Sequence, residues 1–174
     1  MFWLKLESIQ KDSNMTIYDL KPKFQALLRP IVQTLATKNY TPNQVTWFAL
    51  ILSLLFGGLI AYTHGARWTL LMLPLLFFVR MALNAIDGML AREHNMQTKV
   101  GAVLNELSDV VADVALYLPF ALIAGINGIW VVLFVVVGIF TEMAGILTQA
   151  INSDRRYDGP MGKSDRAFLM GLNI

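Results

Sequence analysis

The chain has no cysteine, so disulfides, thiolate nucleophiles and cysteine-ligated metals are excluded. Histidine is nearly absent. His64 and His94 each stand alone in an expected loop, without a paired ligand, and neither is assigned a role. Charge is sparse: 15% of residues are Asp, Glu, Lys or Arg, and the net charge is only +2, so no nucleic-acid partner is expected. There is no internal repeat and no low-complexity segment. The first residues are mixed and polar and do not resemble a cleavable signal peptide. What remains is apolar. The hydrophobic fraction is 56%, gathered in blocks long enough to cross a bilayer, for which about 20 residues suffice.

The reading is therefore an all-α, polytopic transmembrane helix bundle. Residues 1–15 are expected to be an extension, disordered or non-native; residues 1–14 have no clear periodicity, and Met15 is the expected true start. Residues 16–38 form an amphipathic juxtamembrane helix. Leu20, Phe24, Leu27, Leu28, Ile31, Val32 and Leu35 make its apolar stripe, while Lys21, Lys23, Arg29 and Lys38 lie off it. Pro22 suits a first turn and Pro30 is expected to kink the helix. A basic amphipathic helix beside membrane blocks is read as lying in the interface.

Residues 39–174 are read as the transmembrane domain. Four full spans are expected, at about 43–63, 68–92, 101–124 and 129–151. A fifth apolar stretch, Ala167–Leu172, is only begun, so the chain reads as C-terminally truncated. Positive charge orients the bundle. Of the 14 Lys and Arg residues, only Arg67 falls on the side opposite the amphipathic helix, and Arg80 lies within the second span. The loops bearing Arg92, Lys99, Arg155, Arg156, Lys163 and Arg166 are accordingly placed in the cytosol.

Against this background a polar run stands out: Asn84, Asp87, Gly88, Ala91 and Arg92, then Gly101, Asn105 and Asp109. Carboxylates inside a bilayer are costly and mark function by default. Asn84 and Asp87 share one helical face. Asn105, Asp109 and Asp113 share another. At 1.5 Å per residue Asp87 lies about 8 Å below Arg92, and Asn105 about 6 Å below Gly101. A short loop joins these ends, so the two helices are expected to be antiparallel neighbours with their polar groups meeting just below the cytosolic surface. The small residues Gly88, Ala91 and Gly101 would bring the backbones close or leave room for a ligand. Clustered oxygen ligands suit a hard divalent cation, Mg²⁺ or Mn²⁺, shared with substrate phosphates.

The run Asn84-x2-Asp87-Gly88-x2-Ala91-Arg92-x8-Gly101-x3-Asn105-x3-Asp109 resembles the signature of the CDP-alcohol phosphotransferase family, D-x2-D-G-x2-A-R-x8-G-x3-D-x3-D. Every spacing matches. Thr41-Pro42-Asn43-x-Val45-Thr46 is similar to the family's lead into its first span, and Gly162-Lys163 to a later cytosolic loop. The resemblance implies a six-helix membrane enzyme, often a homodimer. It would move a substituted phosphoryl group from a CDP-alcohol to an acceptor alcohol or lipid and release CMP, in phospholipid biosynthesis. It implies metal binding by Asp87, Asp109, Asn84 and Asn105, and a general-base role for Asp109. Gly88, Ala91, Arg92 and Gly101 would shape the cytidine-diphosphate pocket. Lys163 and Arg166 are further candidates for binding substrate phosphate, and membrane lipids are expected contacts. A bacterial inner membrane, with the active site facing the cytosol, is the expected location.

The chain departs from the signature at Asn84 and Asn105, where the family has Asp. An amide oxygen still ligates Mg²⁺, but two negative charges are lost. Weaker metal binding, one metal in place of two, or help from Glu106 or Asp113 is expected. Asn84 and Asn105 also support an alternative: a catalytically weak relative that binds a CDP-alcohol, lipid or partner without turnover. A small transporter or channel is disfavoured, because the polar residues concentrate toward one end of the spans. Deeper in the bundle, Arg80 should share the depth of Asp113 and lie near that of Glu142. A buried ion pair to one or both is predicted.

Overall fold

The computed structural model describes residues 17–152, with side chains from 22 to 147; among these there is no strand. Residues 1–16 and 153–174 lie outside the described residues. They include the expected extension, Lys163, Arg166 and the begun fifth span.

The helices are α1 (Ile17–Thr37), α2 (Pro42–Thr63), α3 (Arg67–Leu71), α4 (Leu73–Glu93), α5 (Lys99–Tyr117) and α6 (Gly128–Asn152), with a 3-10 turn at Leu118–Leu122 between the last two. Prolines and caps set several boundaries. At the start of α2, the Thr41 hydroxyl accepts from the Gln44 N–H while the Gln44 side chain accepts from the Thr41 N–H, and Pro42 stands in the first turn. Thr98 caps α5 through the Gly101 N–H. Pro119 cannot continue the α-helical ladder, and α5 passes into the 3-10 turn two residues before it. The expected second span is likewise divided at Met72, two residues before Pro74. By contrast, α1 runs on as helix through both Pro22 and Pro30.

Among the described residues, three segments are long and apolar enough to cross a membrane: Pro42–Thr63, Arg67–Glu93 and Gly128–Leu147. The expected span at 101–124 is a 19-residue helix plus the 3-10 turn. It is a poorer match to plain hydropathy because Glu106, Asp109 and Asp113 lie along it.

Helix α2 is the hub. It packs along both α4 and α5, α1 packs on α4, and α6 packs on α5 and the 3-10 turn. Gly57 makes the crossing with α5 possible: a Cβ there would sit 2.0 Å from the Ala115 carbonyl oxygen. Ala49, Ser53 and Gly57 are all buried, one turn apart, and form a small-residue seam. The Ser53 hydroxyl donates to the Ala49 carbonyl at 2.8 Å, so it enters the seam without an unmet donor.

Two apolar clusters bracket a polar layer. Near one end, Leu28 and Val32 of α1 pack with Val45, Ile86, Met89 and Leu90. At the other, Ile60, Leu73, Leu76, Leu116, Tyr117, Phe120, Val131 and Val135 close the core. The α1 stripe therefore splits. Leu28 and Val32 pack inward, while Leu27 and Ile31 face outward on the side expected to meet lipid. An exposed Arg29–Glu93 pair, 3.0 Å apart, also joins α1 to the end of α4; such a pair adds little stability.

Candidate functional site

The site is built on α4 and α5 and supported by the first turns of α2. From α4, Arg80 Nη1 donates to Asp113 Oδ1 at 2.9 Å. One turn further, Asn84 Nδ2 donates to Asp109 Oδ1, also at 2.9 Å. Residue numbers rise along α4 as they fall along α5, so the helices are antiparallel, as expected. Continuing that register brings Asp87 and Gly88 to the level of Asn105.

The two helices meet chiefly through these side chains, with α2 packed along both. Gly88, Ala91 and Gly101 are not where backbones approach closely; that role falls to Gly57. A Cβ on Gly88 would meet the guanidinium of Arg92 at 3.1–3.2 Å, so Arg92 folds back over Gly88 on its own helix. A Cβ on Gly101 would meet Asn43 Oδ1 and Thr98 Oγ1, each at 2.8 Å. Gly101 thus leaves room for Asn43 at the mouth of the site. Ala91 is half-buried.

Asp87 is buried. The Thr46 hydroxyl donates to its Oδ2 at 2.8 Å, shorter than its 3.1 Å approach to the Pro42 carbonyl. A hydrogen bond to a charged acceptor is among the stronger kind and fixes the carboxylate's orientation. The Thr41–Thr46 segment was legible as a lead into a span, but its contact with Asp87 was not: it spans 41 residues of sequence.

The predicted partner for Arg80 is found: Asp113 holds it in a buried pair. Arg80 Nη2 also lies 3.7 Å from Asp109 Oδ1. Glu142 is buried on α6 and lines a small cavity, about 10 Å³, with Asp113, Tyr117 and Phe134.

Do these residues fit a divalent cation? Among the described residues, no three His, Cys, Asp or Glu side chains are grouped to hold one. Asn at 84 and 105 accounts for that, since each would otherwise supply a carboxylate. The Asn84 amide is turned as a donor to Asp109. Asn105 differs: its Oδ1 is buried and has no hydrogen-bond partner. An acceptor left so is costly unless something positive meets it. One cation shared by Asp87, Asn105 and Asp109 fits this donor set, with substrate oxygens completing its coordination. A pair of cations held by four carboxylates does not.

The fold and the polar layer define a polytopic helical membrane protein with a band of polar and charged side chains buried between its helices. A model of the CDP-alcohol phosphatidyltransferase family matches residues 39–172, and the chain belongs to that family. It is 51% identical over 158 residues to the inner membrane protein YnbA of Escherichia coli (strain K12), covering 91% of this chain and 78% of that one. It is 36% identical over 101 residues to an uncharacterized protein of Aquifex aeolicus (strain VF5), covering 58% of this chain and 47% of that one. No solved structure matches.

Proposed function

We propose that this protein transfers a substituted phosphoryl group from a CDP-alcohol to an acceptor hydroxyl, releasing CMP, as a step in phospholipid synthesis. The observation that carries the reading is the register of α4 against α5. It sets Asn84 opposite Asp109 and, one turn further, brings Asp87 toward Asn105, with Thr46 orienting Asp87 and an unmet acceptor on Asn105.

The acceptor oxygen attacks the donor's β-phosphorus, and the bond from that phosphorus to the bridging oxygen breaks as CMP leaves. Asp109 takes the acceptor's proton. Mg²⁺ or Mn²⁺, held by Asp87, Asn105 and Asp109, would neutralise the pyrophosphate. Gly88 makes room for the Arg92 guanidinium folded over it, which would supply a cation to the nucleotide. Gly101 and Asn43 shape the opposite wall. Lys163 and Arg166 are proposed to bind phosphate from the following loop. Alignment of the reacting groups provides much of the acceleration.

The proposed placement is the inner membrane of a bacterium, where the Escherichia coli relative is named as residing. The cytosolic orientation is supported by the distribution of Lys and Arg, and α1, the start of α2 and the α4–α5 loop lie at the site's end of the bundle. A homodimer is part of the proposal, as in the resembled family.

A second reading, binding without turnover, is favoured by one observation: Asp109, the proposed base, already accepts from Asn84 and lies 3.7 Å from Arg80. The two readings separate in a panel of CDP-alcohols and acceptors, with CMP release and cytidine-nucleotide binding measured on the same purified protein. Release with at least one pair supports transfer. Tight CDP binding with no release from any pair supports the second reading.

Thr46→Val is isosteric and removes the donor to Asp87. It should weaken Mg²⁺-dependent CDP binding roughly tenfold, the worth of a hydrogen bond to a charged group. Thr46→Ser should restore most of it. Equal binding by Thr46→Val and the native protein would show that the hydroxyl does not position Asp87.

A further inference from the structure

Arg80 belongs to no part of the signature, yet it occupies the centre of the polar layer. It is 5% exposed. A buried guanidinium carries a heavy desolvation cost and is retained only where its charge is well matched. Asp113 alone would match it. The side chain reaches further, however, with Nη2 3.7 Å from Asp109 Oδ1. Nε and Nη2 have no hydrogen-bond partner among the described residues, so only Nη1 is spent, on Asp113. Arg80 therefore stands between two carboxylates, one turn apart on α5, with unspent donors beside the signature residue.

Arg80 lies against Asp109 and Asp113; with Asp87 added, and with Glu142 on the α6 side of Asp113 and Arg92 over Gly88 set aside, three carboxylates stand against one guanidinium. Two negative charges remain, which is the charge of one divalent cation. Asp at positions 84 and 105 would add two more, matching a second cation. Asn at both positions and Arg80 beside Asp109 shift the balance in the same direction. At these depths an unbalanced charge costs several kcal/mol, so the count decides occupancy.

We propose that Arg80 is a fixed positive charge of the nucleotide site and a positioning residue for Asp109, so that the site accepts a single divalent cation. The proposal rests on the reading of Asp87 and Asp109 as cation ligands, but not on turnover. Asp113 anchors the guanidinium from the side away from the ligand. Asn84, donating to the same Asp109 oxygen, holds that carboxylate in line.

The test is Mn²⁺ binding to the purified protein in the presence of CDP, followed by electron paramagnetic resonance of the free ion. One Mn²⁺ per protomer is expected; none or two overturns the proposal. Arg80→Met alone leaves Asp113 buried without its partner and is a poor probe. The double variant Arg80→Met/Asp113→Asn leaves the net charge unchanged and removes the guanidinium 3.7 Å from Asp109 Oδ1. It should bind Mn²⁺ about tenfold more tightly, because a repelling charge has gone. An unchanged or weaker affinity in a folded double variant overturns the proposal, and the native stoichiometry decides if that variant does not fold. CMP release with two bound Mn²⁺ would sink this inference alone. One bound Mn²⁺ without CMP release from any substrate pair would sink the catalytic reading alone.

Discussion

Asp109→Asn should lower the rate of CMP release by roughly a hundred- to ten-thousand-fold, the range ascribed to a lost general base. The substitution is chosen for its geometry. An amide at position 109 still presents an oxygen to Asn84 Nδ2, so the 2.9 Å contact between α4 and α5 can persist. The neighbouring Arg80–Asp113 pair is not touched. Melting in detergent should therefore change little while turnover collapses. What is lost is the proton acceptor and one negative charge of the cation site. A tenfold or smaller effect on CMP release at saturating Mg²⁺ would remove Asp109 from the chemistry.

Gly57→Leu should abolish the native bundle. The first side-chain atom already overlaps the Ala115 carbonyl oxygen at 2.0 Å, and the obstacle is backbone, which cannot rotate away. Overpacking by rearrangeable side chains costs about 1–3 kcal/mol; separating two helices costs more. The effect would reach the site, because α2 also carries Thr46 to Asp87. Gly58→Leu is the control, since nothing lies within 4 Å of its Cβ position. Thermal unfolding and size-exclusion profiles in detergent should separate the two variants sharply. Similar behaviour would mean that α2 and α5 do not cross at Gly57.

The signature was legible because its chemistry needs fixed helical spacing. Asn84 and Asp87 at i, i+3 and Asn105 and Asp109 at i, i+4 each define a face without knowledge of the rest of the chain. The Arg80–Asp113 pair followed from rise per residue alone, counted from the loop joining the two helices. Contacts of long sequence separation were not legible. Nothing at Thr46 announces Asp87. The apposition of α4 and α5 suggested close backbones at Gly88 and Gly101, whereas α2 packs along both and the close crossing is at Gly57. A pattern did mark it: Ala49, Ser53 and Gly57 repeat every four residues, the spacing of small residues that lets membrane helices approach. The break at Met72 can be traced to Pro74, and the single helix continuing past Pro30 was legible from its apolar stripe. There tertiary packing of Leu28 and Val32 on α4 outweighs the local penalty.

The α4–α5 signature site is proposed to transfer a phosphoryl group with the help of a divalent cation and its two carboxylates. Its most direct test follows CMP release and formation of the transferred product together, in liposomes, for the native protein, Asp87→Asn and Asp109→Asn, with and without EDTA. Equimolar CMP and product are expected from the native protein. Both should be lost with EDTA and fall by at least a hundredfold in either variant. CMP and product formation that persists through EDTA and through both substitutions would contradict it.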